Sequence, residues 1–304
     1  MLRLRGEIPL PAHVGRGGFD HGDVHRPSGL VYIAHTANAT VEVVDGNTLE
    51  HIGSIKNCPE ASGVLCTPTS DLVFAAARGA GKILVIRGGA QAAQSTMDVG
   101  GRPNGLAWDS RRRQLLVADV EGDSISLVAP DGRSAPDTGK LPGRPRWTLY
   151  DPDRDRFLVN IRAPAGVAVV DAATAQVEST WPVASAGPHG LDVDLGRGLA
   201  FVACDAGDLL VLDLDSGEEA GRVAIGGEPD AIWFNPKADR VYVAIGDPGI
   251  LQSVDVENMR IAGTVETEKG AKTTALDIDR QALYVFNPAA CTVAAYAEDG
   301  ANST

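Results

Sequence analysis

The chain has 304 residues and a net charge of −13 at pH 7, with 22 % charged and 44 % hydrophobic residues, the balance of an ordinary globular protein. Phosphate backbones and anionic membranes repel so acidic a chain, so neither nucleic acid nor a membrane surface is an expected partner. No run approaches the ~18 apolar residues of a spanning helix, and the first residues lack the apolar stretch of a signal peptide.

In chain order, the first strand-like stretch is Leu4–Leu10, and the overlapping segment GEIPLP (6–11) lines up with GRVAIG (221–226). The link Ala12–Gly18 follows and is expected to be a disordered connector, with His13 as the one residue able to reach inward. Seven runs then share an apolar, aromatic or β-branched, small-residue pattern. They are LVYIA (30–34), LVFAA (72–76), LLVAD (115–119), FLVNI (157–161), AFVAC (200–204), VYVAI (241–245) and LYVFN (283–287). Each follows a turn rich in Asp, Arg, Gly or Ser, and each precedes a second strand-like run, from VEVVD (41–45) to VAAYA (293–297). A repeat of about 42 residues without helical periodicity fits four-stranded propeller blades. The predicted fold is therefore all-β: a seven-bladed β-propeller of four-stranded blades in one domain, 1–304. Ala90–Thr96 could form a helical turn, but it lies where the outer strand of the second blade belongs.

The last unit stops at EDGANST, so its outer strand is missing. Leu4–Leu10 is expected to supply it by pairing with Val293–Ala297, which closes the ring and removes an exposed sheet edge. Residues 298–304 are expected to be a disordered tail. The basic run Arg111-Arg112-Arg113 falls in a turn and reads as a solvated tip. Among the cysteines, Cys204 and Cys291 read as core residues, and a Cys58–Cys66 bond is left open by the sequence. A soluble, cytoplasmic monomer is expected.

The units GGRPNGLAWDSRRRQLLVADVEGDSISLV (100–128) and GGEPDAIWFNPKADRVYVAIGDPGILQSVD (226–255) resemble the YVTN-type, YncE-like bacterial propellers, as does GFDHGDVHRPSGLVYIAHTANATVEVVD (18–45). That family mixes binding proteins and lactonase-like enzymes, so the resemblance implies the fold more than an activity. PNGLAWD (103–109) and PHGLDVD (188–194) are more loosely similar to gluconolactonase and senescence-marker propellers, whose matching Asn and Asp hold a divalent cation. Asn104 matches that pattern; His189 stands where that family has Asp.

One polar residue recurs in each inner strand: His21, Glu60, Asn104, Arg146, His189, Asp230 and Lys272, spaced 39 to 44 residues apart. They stand 12 to 14 residues before Ile33, Phe74, Val117, Val159, Val202, Val243 and Val285, and are expected to ring the channel at one level. Such mixed ionisable groups shift one another's pKa values. The ring carries two acids and two bases, which suits a small anionic ligand better than a bare hard cation. Arg146 and Lys272 would orient a carboxylate, with Asn104 beside them. His21, His189, Glu60 and Asp230 would move protons or activate water. His21, His189 and Glu60 are also the ligands a softer divalent metal would use. A second tier on the same face comprises His35, Arg78, Asp119, Arg162, Asp205 and Asp247, of which Asp119 and Arg162 are further candidates for substrate binding. The expected activity is hydrolysis or elimination on a lactone, ester or other carboxylate-bearing compound. The alternative is a non-catalytic propeller that binds a ligand or protein through the same face.

Overall fold

The computed structural model describes residues 2–87, 93–130 and 137–298. They form seven four-stranded antiparallel sheets. Six sheets are each built from four consecutive strands, whose inner strands are Phe19–His25, Ala61–Cys66, Pro103–Asp109, Pro145–Asp151, Pro188–Asp194 and Pro229–Asn235. The seventh sheet starts at Thr274–Asp277 and takes its outer strand, Leu2–Pro9, from the other end of the chain. There Ile8 pairs with Val293 and Leu2 with Glu298, so the closure expected of Leu4–Leu10 is made by a slightly longer strand. Glu298, expected in a disordered tail, ends the third strand of that blade and accepts a hydrogen bond from the Tyr242 hydroxyl at 2.7 Å. Residues 299–304 lie outside the described residues.

The core is not one mass but seven layers, one between each pair of neighbouring blades. In the second strand of blade four, Phe157, Val159 and Ile161 pack toward blade three, while Leu158 packs toward blade five. Both faces of that strand are covered, which is why Phe157, Leu158 and Val159 form an apolar run that does not alternate. Burying the apolar run is the main drive for stacking the blades, at about 25 cal/mol per Å². The seventh layer joins blades seven and one and contains Ile8 beside Val31, Ile33 and Tyr284.

Turns on the lower face add ionic ties between blades. Arg112 reaches Asp155 of the next blade at 2.7 Å, and Arg26 reaches Asp279 at 2.7 Å. The Arg111–Arg113 tip is thus tied to blade four and is not simply solvated. Strand Ala93–Asp98 takes the outer place of blade two, and a helical turn at 90–96 is not formed where the chain is described. All four cysteines are free, and Cys291 sits in a turn, not in a core strand. The link expected to be disordered is held down: His13 Nε2 donates to the Pro288 carbonyl at 2.6 Å, and its Nδ1 lies 2.7 Å from His35 Nε2. Among the described residues, no helix is long and apolar enough to cross a membrane.

Candidate functional site

Each of the first six inner strands carries the same irregularity near its start. In blade three, Pro103 pairs with Asp119 but Leu106 pairs with Val117, so Asn104 and Gly105 together oppose a single residue. This is a β-bulge, and the slip recurs in blades one, two, four, five and six. A bulge bends the strand and re-aims the side chain it carries, and here it does so at one level around the axis.

The first bulge residue is Asp20, Ser62, Asn104, Arg146, His189 or Asp230. Each stands thirteen residues before the second-strand residue that closes the slip: Ile33, Ala75, Val117, Val159, Val202 and Val243. In blade seven the same offset from Val285 falls on Lys272. The ring in register is therefore Asp20, Ser62, Asn104, Arg146, His189, Asp230 and Lys272, and two of the expected members are displaced from it. Glu60 lies in the turn before Ala61–Cys66, at φ 50°, with its carboxylate bound to Arg102 and 3.8 Å from Arg78 Nε. Ser62 occupies its place, fully buried, and donates to the Pro103 carbonyl at 3.1 Å. His21 is the second bulge residue of blade one, next to the ring position at Asp20.

The second bulge position is glycine in blades two, three and five. A Cβ at Gly63 would stand 1.8 Å from the Asn104 carbonyl oxygen, and one at Gly105 2.5 Å from that of Arg146. Adjacent inner strands approach too closely there for any side chain. In blades one and four the position holds His21 and Trp147, whose rings meet at 4.6 Å between centroids.

The bulges frame a cavity of about 290 Å³ at the upper mouth of the channel. Asp20, His21, Arg78, Asn104, Arg146, His189, Asp230 and Lys272 line it, with Gly17 and Gly18 of the clasped link and Phe19 of the first inner strand at its edge. Asp230 is the hub: its Oδ1 lies 3.0 Å from His189 Nε2 and 3.6 Å from His21 Nε2, and its Oδ2 lies 3.3 Å from Lys272 Nζ. His189 Nδ1 donates to Asp205 Oδ1 at 3.0 Å, and Arg162 holds the other Asp205 oxygen at 2.9 Å. Arg78 bridges Asp20 at 3.5 Å and Asn104 at 3.4 Å.

Burial pushes the His189 pKa down, yet Asp230 and Asp205 outweigh it and raise the imidazole above its ordinary 6.5. Burial likewise opposes charge on Asp230, but His189 and His21 hold it well below 3.8. Arg146 is the exception in this web of pairs. Among the described residues no hydrogen bond or ion pair meets its guanidinium, and its Nε is buried without a partner. Burial, then Arg144 and Arg162, lower its pKa.

Six of the expected residues, His21, Asn104, Arg146, His189, Asp230 and Lys272, thus share one cavity, and Glu60 does not line it. Asp119 serves a turn, accepting from the backbone N–H of Arg102 at 3.0 Å and of Glu121 at 3.1 Å. Arg162 stands behind His189 with Asp205 and lines a separate shallow recess. His35 is wholly buried against Glu42 at 3.0 Å, and Asp247 is exposed and paired with Lys269 at 3.1 Å. His21, Glu60 and His189 are not brought together, and no group of three or more His, Cys, Asp or Glu among the described residues is arranged to hold a metal ion. Asp20 is absent from the expected set, and the signal that marks it in the sequence is the constant offset of thirteen residues to Ile33.

Seven four-stranded blades closed by an N-terminal strand around a polar channel mouth define a seven-bladed β-propeller. Over 95 % of this chain and 98 % of that one, the structure superposes on a chain of Kuenenia stuttgartiensis hydrazine synthase with a TM-score of 0.82; at 15 % identity the likeness is one of fold. The uncharacterized protein YncE of Salmonella typhimurium and that of Salmonella typhi are each 23 % identical over 189 residues, 62 % of this chain. The match spans only 42 % of the length of either relative. The chain is a YncE-like seven-bladed β-propeller. No family model matches it.

Proposed function

We propose that the upper channel cavity binds a small carboxylate-bearing molecule with Arg146 as its anchor. The observation that carries this reading is the largely buried guanidinium, unpaired among the described residues, in a cavity where Lys272 pairs with Asp230 and Arg78 with Asp20. A guanidinium cannot lose its charge at neutral pH, and a planar carboxylate satisfies it with two parallel hydrogen bonds. Lys272 and Asn104 line the same cavity and would take the ligand's remaining oxygens.

A second reading, turnover of the ligand, is favoured by His189. Asp230 and Asp205 raise its pKa above the ordinary imidazole value, and in its protonated form it would donate from Nε2 to a leaving oxygen. In lactone or ester hydrolysis, water would add to the carbonyl carbon as the carbon–oxygen bond breaks. Its proton would pass to Asp20 or Asp230, and the His189 proton would go to the departing alkoxide.

Calorimetric titration with a panel of small mono- and dicarboxylates, beside a pH-stat screen of simple lactones, tests both readings. Saturable binding that falls about tenfold or more in Arg146→Ala, at unchanged melting temperature, is the expected result. Binding indifferent to Arg146→Ala would remove the anchor. Binding without turnover would leave the first reading and remove the second.

A further inference from the structure

Below the polar mouth the channel holds a second chamber of different chemistry. It has a volume of about 210 Å³ and is lined by Trp108, Trp147 and Trp233, three of the chain's four tryptophans, with Asp23 and Asp192 the only charged residues on its wall among the described residues. Trp147 touches His21 of the upper site at 4.6 Å and Trp233 at 5.9 Å, so its indole stands between the two chambers. No lysine, arginine or histidine among the described residues lines the lower one.

Asp23 and Asp192 occupy equivalent positions, three residues after Asp20 and His189, in blades one and five. Each reaches the next blade, Asp23 accepting from the Cys66 N–H at 2.8 Å and Asp192 from the Phe234 N–H at 2.6 Å. Stapling blades does not account for them, because the same position is Leu65, Ala107, Leu149, Trp233 or Ala275 in the other five blades, which stack without it. Every oxygen of the two carboxyls accepts one backbone N–H, which leaves each a further lone pair.

We propose that this lower chamber is a binding site for a small organic cation, an amine or quaternary ammonium group, held between Asp23 and Asp192 and faced by Trp108, Trp147 and Trp233. Two like-charged groups share one apolar enclosure, an arrangement a cation relieves. Indole faces attract ammonium groups through their quadrupole, most strongly where water is excluded. Burial raises both carboxyls to about 7, against their backbone hydrogen bonds, and the charge of Asp23 adds to the shift of Asp192. A bound cation favours their ionised forms, so binding is linked to proton release.

The probe is tetramethylammonium chloride, titrated into the full chain while tryptophan fluorescence is followed, with sodium chloride as the ionic control and tert-butanol as the neutral counterpart. A saturable response to tetramethylammonium alone is expected, weakened by about tenfold or more in Asp192→Asn and on lowering the pH from about 8 to about 5. Arg146→Ala should leave it unchanged, which separates it from the anion site above. The asparagine keeps an oxygen for the Phe234 N–H; if that variant nevertheless fails to fold, Asp23→Asn and the wild-type pH titration decide. An equal response to tert-butanol, or no saturable response in the folded protein, would overturn the proposal.

Discussion

The Nε2 of His189 stands 3.0 Å from Oδ1 of Asp230, across the seam between blades five and six. The contact sits inside the candidate site, so its protonation sets both stability and chemistry. The His189 pKa is raised in the fold, so its contribution to stability is complete below the ordinary 6.5 and is lost as the pH climbs through the raised value. Melting temperatures of the wild type and His189→Gln should differ most near about pH 5 and converge toward about pH 9. A gap independent of pH would show that the imidazole is not charged in the fold.

Arg146 should behave in the opposite way to a structural arginine. Removing one partner of a buried ion pair costs about 3–5 kcal/mol, but Arg146 has no partner to orphan. Arg146→Met keeps most of the side chain's bulk and removes a buried charge. Its free energy of unfolding in urea should match or exceed that of the wild type by up to about 2 kcal/mol. A loss of several kcal/mol would assign Arg146 a role in holding the ring together.

The fold was legible because each blade repeats the same apolar second strand, such as LLVAD (115–119), between polar turns. The ring was legible wherever the inner strand kept its offset from that strand, as at Asn104, Arg146, His189, Asp230 and Lys272. It failed at Glu60 because the acid nearest the expected spacing lies two residues before the bulge, where a turn aims it outward at Arg102. At His21 the error was one residue, and only the bulge register separates it from Asp20. Glu42 was not singled out at all. Nothing in VEVVD (41–45) shows that the glutamate will be wholly buried.

That glutamate is a third test. It accepts from His35 Nδ1 at 3.0 Å, His51 Nε2 at 2.8 Å and the Thr40 and Ser54 hydroxyls at 2.5 Å. These bonds overcome its burial and hold its pKa far below the usual carboxylate range. Glu42→Gln leaves one acceptor oxygen for four donors and should cost about 2–4 kcal/mol. Through His35 it should also loosen His13, seen as faster amide exchange across Ala12–Gly18.

Ring closure makes a fourth. Leaving out residues 1–10 removes a strand that pairs with Val293 to Glu298 and takes fully buried Ile8 out of the seventh core layer. Ile8→Ala alone should cost about 2–5 kcal/mol by the cavity it leaves. The full truncation should lower the melting temperature further and, by baring a sheet edge, promote association visible in light scattering. An unchanged melt would mean that the strand contributes nothing to closure.

The two carboxyls of the lower chamber give the last prediction, independent of any ligand. Asp23 and Asp192 each titrate near 7 in the fold, against an ordinary 3.8, with burial the dominant cause. A raised folded pKa means that the native state binds more protons than the unfolded chain between those values, so stability must fall as pH rises from about 4 to about 7 and then level off. Asp155 and Asp279, each beside an arginine, work the other way, because their pKa values are lowered and the stability they contribute is lost only at lower pH. Asp23→Asn and Asp192→Asn remove the ionisation while keeping an oxygen for the neighbouring N–H, so each variant should gain on the wild type across this window and stand on the order of 1–3 kcal/mol above it near about pH 8. The double variant should gain less than the sum of the two, because the charge of Asp23 is part of what raises Asp192. Urea unfolding at a series of pH values measures all four proteins. Wild-type stability that rises through the same window, or variants that follow the wild-type curve in parallel, would show that both carboxyls are already ionised in the native channel.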